Sequence, residues 1–392
     1  MNPLRQTLAI TLINLRSIPQ RFSTSLVICV GIAGVVAVLI VVLAMATGLK
    51  DTLAKAARDD RTIVLRSGSQ AEALSSLSHA DLIAIEAAPG IRRTADGKRA
   101  ISPETLLSVN LPRKAGNVAA VSVRGLTPIA ASVRPEIRLI EGRWFATGVH
   151  EVVVGKSAHE QFAHFDVGDT LKFHSGDWEV VGIFESAGDV HESEVLGDAT
   201  TLMSAAQRTV YSAATVTLES SAAFEQFKQA LRSDPTLKVD VQRETEYYTE
   251  RSKQVATLLE FVANTVGAIM AIGALFGALN TMYSAVSNRA VEIATLRAIG
   301  FGALPVVISV LAEAQLLALI GAAVGGAIAW LFFSGDAFST GGVLGQVAVN
   351  LHVGIGLIAI GVVWAIGIGL IGGLFPAIRA ARLSVSDALR VV

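Results

Sequence analysis

Residues Glu244–Asn288 read ETEYYTERSKQVATLLEFVANTVGAIMAIGALFGALNTMYSAVSN, and this stretch decides the fold. Its second part, from Phe261 to Asn288, carries no charged side chain. That is longer than the roughly 20 apolar residues a helix needs to cross a bilayer. Its first part is charged, yet Val255, Leu258, Leu259 and Val262 keep the i, i+3, i+4, i+7 spacing of a helix. No proline or glycine interrupts the chain from Glu244 to Val266. The reading is one helix that runs unbroken from a charged stalk into a membrane span. A rigid stalk transmits motion, which a flexible linker does not.

The rest of the chain follows the same division. Only 17% of its 392 residues are charged and 52% are hydrophobic. The mean hydropathy is +0.54, and soluble domains usually carry about 25% charge. Ser23–Leu49 is a second uncharged run, Ala298–Gly335 a third with one acid, Glu313, and Val353–Phe375 a fourth that ends at Pro376. The first run competes with a cleaved signal peptide, since Arg5, Arg16 and Arg21 precede it and Ala44-Met45-Ala46 is a small-residue site. A signal core is about 7–15 residues, and this run is far longer, which favours an anchor. The expected fold class is a membrane protein with an α-helical four-span bundle, one plus three, and a large α+β extracytoplasmic domain inserted between spans one and two.

Orientation follows from Lys and Arg near the span ends. Arg5, Arg16 and Arg21 lie before the first span, Arg289 and Arg297 between the second and third, and Arg379, Arg382 and Arg390 after the fourth. None occurs between Arg297 and Arg379. Both termini and the 287–302 loop are therefore expected in the cytoplasm, and 50–243 outside, because long domains cross largely regardless of charge. The expected segments are a juxtamembrane helix over 1–22, span one over 23–49, the outside domain over 50–243 and the stalk with span two over 244–286. A cytoplasmic helix over 287–302, span three over 303–335, an outer loop over 336–352, span four over 353–376 and a tail over 377–392 complete the chain.

The net charge of −1 gives no basic footprint for nucleic acid. The single cysteine, Cys29, permits neither an intrachain disulfide nor a cysteine-based metal site. In the outside block, Thr62–Gly68 reads as a short strand, and Ser78-His-Ala-Asp81 as a capping box opening a helix that Pro89-Gly90 closes. Glu151–Gly155 and Trp178–Phe184 read as strands, Ala222–Arg232 as an amphipathic helix and Leu237–Val241 as a strand.

Several patterns invite a functional reading. Asn288–Gly300 is an amphipathic helix in which Ile293, Leu296 and Ile299 share an apolar side and Arg289 and Glu292 lie one turn apart; Gly300 ends it and Pro305 opens the next helix. A plain interfacial helix reversing the chain fits equally well. Glu313 lies ten residues into the third span, about 15 Å deep. Proton coupling or substrate contact is the functional reading, and a hydrogen bond to a neighbouring helix or reach toward the cytoplasmic surface the favoured one. Asp189, His191, Glu192, Glu194 and Asp198 match no metal-ligand spacing and are expected to form an exposed charged loop; no metal site is expected. Gly155-Lys156-Ser157 lacks the glycine a phosphate loop needs at position 150, where His150 stands, and Gly97-Lys98 is followed by Arg99. Glycines four apart, Gly273/Gly277, Gly321/Gly325 and Gly369/Gly373, fit close helix packing within one bundle or between two.

The Asn288–Gly300 segment resembles the coupling helix of the MacB/FtsX family of ABC-transporter permeases. Leu311-Ala-Glu313-Ala with its Gly-rich continuation, and Phe375-Pro376-Ala-Ile-Arg379-Ala-Ala-Arg382 with Asp387-Ala-Leu-Arg390 at the end, resemble other parts of the same family. Ile140-Glu-Gly142-Arg143-Trp-Phe, Glu151–Gly155, Gly168-Asp-Thr-Leu and Val180–Phe184 resemble the periplasmic core domain of that family, including its lipoprotein-releasing members. The resemblance implies a non-catalytic subunit in the bacterial inner membrane. It implies that Arg289, Glu292, Ile293, Leu296, Arg297 and Gly300 meet two separate cytoplasmic ABC ATPases, which bind the ATP and Mg while this chain binds no cofactor. It also implies a second permease copy or paralogue and, in the exporting branch, a MacA-like periplasmic adaptor. Mechanotransmission, in which ATP-driven motion of the coupling helix moves the outside domain, is the implied mechanism. Export, lipoprotein release and a non-transporting signalling or scaffold role all lie within the family. A proton-coupled secondary transporter using Glu313 is the reading from another class, and the inverted repeats it requires are not seen.

Overall fold

The computed structural model describes residues 6–7, 11–12, 22–334, 337–340 and 347–382. Arg5, Arg16, Arg21, Asp387 and Arg390 lie outside the described residues. The chain forms two compact units, one helical and one built on a sheet.

The sheet unit spans Gly48–Ala256 with the hairpin near residues 337–350. Its strands are β1 (Arg61–Arg66), β2 (Ile101–Pro112), β3 (Val118–Leu126), β4 (Arg138–Gly142), β5 (Glu151–Gly155), β6 (Thr170–Phe173), β7 (Gly176–Glu185), β8 (Glu194–Asp198), β9 (Ala213–Thr217) and β10 (Val239–Arg243). They pair in the order β10-β1-β9-β2-β3-β8-β5-β7-β4, with β6 on β7. Two further strands, β11 (Ala337–Thr340) and β12 (Val347–Asn350), pair antiparallel.

Strand β2 belongs to both halves of this sheet. Ile101–Glu104 pair with β9 and Thr105–Pro112 with β3. Each half has its own core. In one, Val64, Ala214 and Val216 pack under helices α2 (His79–Ala87) and α6 (Phe224–Ser233), which contribute Leu82, Ile85, Phe224, Phe227 and Leu231. The last three recur at helical spacing, and fully burying such a side chain stabilises by about 1.5–3 kcal/mol. The other core gathers Val121, Val123, Val152, Val154, Trp178 and Val195 beside Phe162 and Phe165. The capping box forms: Ser78 Oγ accepts from the Asp81 backbone N–H, and the Asp81 carboxylate accepts from the Ser78 N–H at 2.8 Å.

The helical unit holds α1 (Phe22–Ala56) up to Thr47, α7 (Glu244–Asn288) from Thr257, α8 (Ala290–Ala298), α9 (Ala303–Phe333) and α10 (Ile355–Ala381). Helices α3 (Ala130–Val133), α4 (Lys156–Gln161) and α5 (Ala199–Ala205) are short turns of the sheet unit. Among the described residues, four helices (α1 from Ser25, α7, α9 and α10) are long and apolar enough to cross a membrane. Helix α7 is continuous over 45 residues, about 67 Å at 1.5 Å per residue. Glu244 and Glu246 in its first turn favour the positive end of its dipole.

Helix α10 contains Pro376 and continues to Ala381. Proline removes one backbone bond and crowds the carbonyl one turn back. The preceding turn holds Gly372 and Gly373, and α9 packs closely there. A Cβ at Gly373 would lie 2.7 Å from the Ala314 side chain, and one at Gly369 2.8 Å from that of Ala318. Gly321 and Gly325 of α9 abut the α1 backbone: a Cβ would lie 2.9 Å from the Cys29 carbonyl and 2.5 Å from that of Ala33. Gly273 and Gly277 of α7 have open space around them.

Candidate functional site

Arg289 is the single residue between α7 and α8, and its φ of −109° and ψ of 11° turn the chain. Helix α8 starts when the Ile293 N–H donates to the Arg289 carbonyl at 2.9 Å, and Gly300, at φ +101°, ends the segment in a conformation that favours glycine. The helix is held at both ends within its unit. Arg289 Nη1 lies 3.6 Å from Glu313 of α9, and Arg297 Nη1 donates to the Ala381 carbonyl of α10 at 2.9 Å. Arg289 Nε also donates to Glu292 at 3.2 Å.

The faces of α8 are distinct. Ile293 and Ala294 are buried, and Leu296 packs against the bundle core. Val291, Glu292, Thr295, Ala298, Ile299 and Gly300 are exposed, with Ile299 at 72%. So of the residues singled out in the sequence, Arg289, Ile293, Leu296 and Arg297 turn toward the bundle. Glu292, Gly300 and the additional Val291, Thr295 and Ile299 face outward. The apolar positions of an amphipathic pattern mark the packed side, and here most of that side is the protein's own core.

Glu313 is 6% exposed beside Arg289 at 8%. A lone carboxylate at that depth is costly, and an adjacent guanidinium offsets the cost. The acid thus has a packing partner at the corner between α7 and α8.

The sheet unit holds a second, denser charge cluster, which the sequence did not reveal. Arg124 of β3 grips Glu194 of β8 with two bonds, 2.7 and 2.8 Å, while its Nη1 donates to Glu104 of β2 at 2.8 Å and to Glu72 at 2.6 Å. Arg134 grips Glu104 in the same two-bonded way, 3.1 and 3.2 Å, and donates to Thr215 at 3.1 Å and Glu244 at 3.3 Å. Arg61 of β1 donates to Glu244 at 2.6 Å, to the Ala56 carbonyl at 2.9 Å and to Glu136. Arg134 Nη1 lies 2.9 Å from His191 Nε2, and a guanidinium only donates, so Nε2 accepts and Nδ1–H is assigned to Glu194 at 3.0 Å.

Glu244 is the first residue of α7 and is wholly buried. It joins the first turn of that helix to β1 through Arg61 and to the turn after α1 through the Arg58 backbone N–H at 3.0 Å. Burial pushes the Glu104 carboxyl up, and the guanidinium groups of Arg134 and Arg124 more than reverse this, holding it at about 2. Burial acts likewise on Glu194, and Arg124 and His191 draw it well below the usual carboxylate range. Such clusters add little net stability over apolar packing, but removing one partner strands charge and costs about 3–5 kcal/mol.

The acidic stretch expected to be an exposed loop is buried instead. Asp189 accepts from Ser186 Oγ at 2.7 Å and the His191 N–H at 2.9 Å, and Glu192 accepts from the Ser186 and Gly188 N–H groups at 2.8 and 2.7 Å. Asp198 caps α5 through the Thr201 N–H at 2.9 Å. Each carboxylate is thus occupied by the protein itself, and among the described residues no group of three His, Cys, Asp or Glu is placed to hold a metal ion. Gly155 has a packing reason: a Cβ there would lie 2.2 Å from the Glu192 carbonyl, so only glycine lets β5 approach that turn. The available signal was Arg124 itself, a lone cation inside the apolar strand VAAVSVRGL.

Comparison with known proteins bears on both units. Residues 22–234 match the family model of the MacB-like periplasmic core domain, and residues 264–385 that of the FtsX-like permease C-terminal domain. No curated protein matches the chain. Among solved structures, the extracellular domain of the noncanonic ABC-type transporter YknZ from Gram-positive bacteria is similar at 15% identity and a TM-score of 0.36, covering 46% of this chain and 99% of that one. A domain assigned to a permease of Porphyromonas gingivalis is similar at 15% identity and a TM-score of 0.31, covering 47% of this chain and 87% of that one.

Proposed function

Because the chain belongs to the MacB/FtsX-type family of ABC-transporter permeases, we propose that it couples ATP hydrolysis in separate cytoplasmic ATPase subunits to movement of its sheet unit outside the membrane. In this reading the four apolar helices are spans, the sheet unit is inserted between the first and second, and both termini are cytoplasmic in a bacterial inner membrane. The chain itself is non-catalytic; ATP and Mg belong to two partner subunits, and a second permease copy or paralogue completes the assembly.

The observation that carries this reading is α7. One uninterrupted helix begins at Glu244 inside the ionic cluster and ends at Asn288, the residue before the corner that starts α8. A displacement of α8 by an ATPase acts on the end of a stiff rod whose other end is tied into the sheet by Arg61 and Arg134. The exposed face of α8, Val291, Glu292, Thr295 and Ile299, is the surface offered to the ATPase. The work is export or extraction of a substrate at the outer face of the membrane, with a MacA-like adaptor in an exporting assembly. Lipoprotein release and a signalling or scaffold role are the other members of this class. The guanidinium beside Glu313 supports a packing role over a proton-carrying one.

Purification from native membranes tests the proposal. An ABC ATPase is expected in stoichiometric amount, and Ile299→Glu is expected to abolish its retention while leaving the permease intact. Reproducible absence of any ATPase, with activity retained in ATP-free vesicles, overturns it.

A further inference from the structure

A cavity of about 200 Å³ opens in the sheet unit where the parallel neighbours β3 and β8 end side by side at Leu126 and Asp198. Leu126, Ala130, Ile137, Trp144 and Phe145 form most of its wall. Leu126 and Ala130 are buried, while Trp144 is 42% exposed. The Trp144 and Phe145 rings meet edge to face with their centroids 6.3 Å apart. The segment that carries these rings is fixed in advance. Arg143 grips Glu151 of β5 through bonds of 2.6 and 2.7 Å, and the Ala146 N–H donates to the same carboxylate at 3.0 Å. The Gly148 backbone also bonds the Asp198 carboxylate. A wall that is already ordered costs little to bring to a ligand.

Size and chemistry narrow what fits. An apolar cavity of about 150 Å³ holds a benzene molecule, so this one matches a single ring with a short substituent. Two charged side chains border it, and both are engaged by the protein: Arg134 by Glu104 and Glu244, and Asp198 by Thr200 and Thr201. Neither charge is left over for a charged ligand, whose hydration would be lost without return. Aromatic rings favour offset-stacked or edge-to-face contact with other rings, beyond the area they bury, and two side chains of the wall supply such contact. We propose that this cavity is a binding site for a small neutral aromatic molecule, one ring with at most one hydroxyl or similar group, seated against Trp144 and Phe145. Its polar group turns toward Thr147, which is exposed at the cavity edge. The site lies wholly within the sheet unit and does not depend on the function proposed above.

The test uses the full chain in lipid nanodiscs, labelled with fluorotryptophan. The probe is p-cresol, and methylcyclohexanol, its saturated counterpart, is the comparison. Fluorine nuclear magnetic resonance reads Trp144, whose signal is assigned from Trp144→Phe. Trp178, fully buried in the same unit, is the internal control. p-Cresol is expected to shift the Trp144 signal to a plateau and to leave that of Trp178 in place. Methylcyclohexanol is expected to need a several-fold higher concentration for half its shift. Ala131 is exposed on α3 and borders the cavity, so Ala131→Phe fills the space and is expected to abolish the plateau. Phe145→Leu is expected to keep a plateau but to bring the two half-saturation concentrations together. No shift, or a shift that rises without a plateau as simple partition into lipid does, overturns the site. A plateau that survives Ala131→Phe overturns its location. Equal half-saturation by the two probes in the parent chain overturns the preference for an aromatic ring. No ATPase takes part in this readout, so failure of the proposed function leaves it standing.

Discussion

The two buried charge sites are built to opposite standards. In the sheet unit, Arg61, Arg124 and Arg134 make many short bonds, two of them in bidentate pairs, and the groups joined come from strands far apart in sequence. At the corner between α7 and α8, Arg289 donates to the exposed Glu292 at 3.2 Å and lies 3.6 Å from the buried Glu313. Dense, mutually saturated charge has one arrangement and behaves as a weld. The corner has fewer and longer contacts, one of them to an exposed carboxylate.

Removing Arg124 is the hardest blow to the weld. Arg124→Met leaves Glu104 short of one cation and Glu194 and Glu72 without the guanidinium that neutralises them. The expected loss is about 3–5 kcal/mol, read as a lower denaturant midpoint for the sheet unit. Acid attacks the same place more gently. The Glu104 carboxyl lies below its unfolded value, so its stabilisation is complete above about pH 4.5 and is lost as pH falls toward about 2. The shift from 4.5 to about 2 corresponds to about 3 kcal/mol. Denaturation curves between pH 7 and pH 3 are expected to show this loss, and Glu194 adds to it in the same direction.

Helix packing sharpens the contrast on the membrane side. Gly325→Ala places a Cβ 2.5 Å from the Ala33 carbonyl and is expected to destabilise by about 1–3 kcal/mol, as overpacking does. Gly273→Ala meets nothing within 4 Å and is expected to leave the monomer's thermal stability unchanged. The smallest effect on stability belongs to Ile299→Ser: within about 0.5 kcal/mol, as for exposed sites, while ATPase retention falls.

Local features were legible in the sequence because local forces make them. The Ser78–Asp81 capping box, the β5 and β7 runs and the continuity of α7 each depend on residues within a turn or two. The ionic cluster was not legible, because its partners stand up to 183 residues apart. Asp189–Asp198 read as an exposed loop on charge alone, and only the fold brings Arg124 to Glu194 and the Ser186–Gly188 amides to Glu192. At the corner, the pattern found the helix and its two arginines, but not that Ile293 and Leu296 would turn inward. Periodicity identifies an apolar side without saying what covers it.

The pairing of Arg61 with Glu244 has a consequence for biosynthesis. The two residues are separated by 183 positions, and β1 sits between β9 and β10 near the end of the same stretch. At roughly 5–20 residues per second, the ribosome needs on the order of 10–40 s to deliver the last partner after the first. For most of that interval β1 has neither neighbour, since β9 and β10 both follow residue 212, and Arg61 has no Glu244. The sheet unit therefore closes only as the start of α7 emerges, so a chaperone that shields β1 during those seconds protects a strand whose partners arrive late.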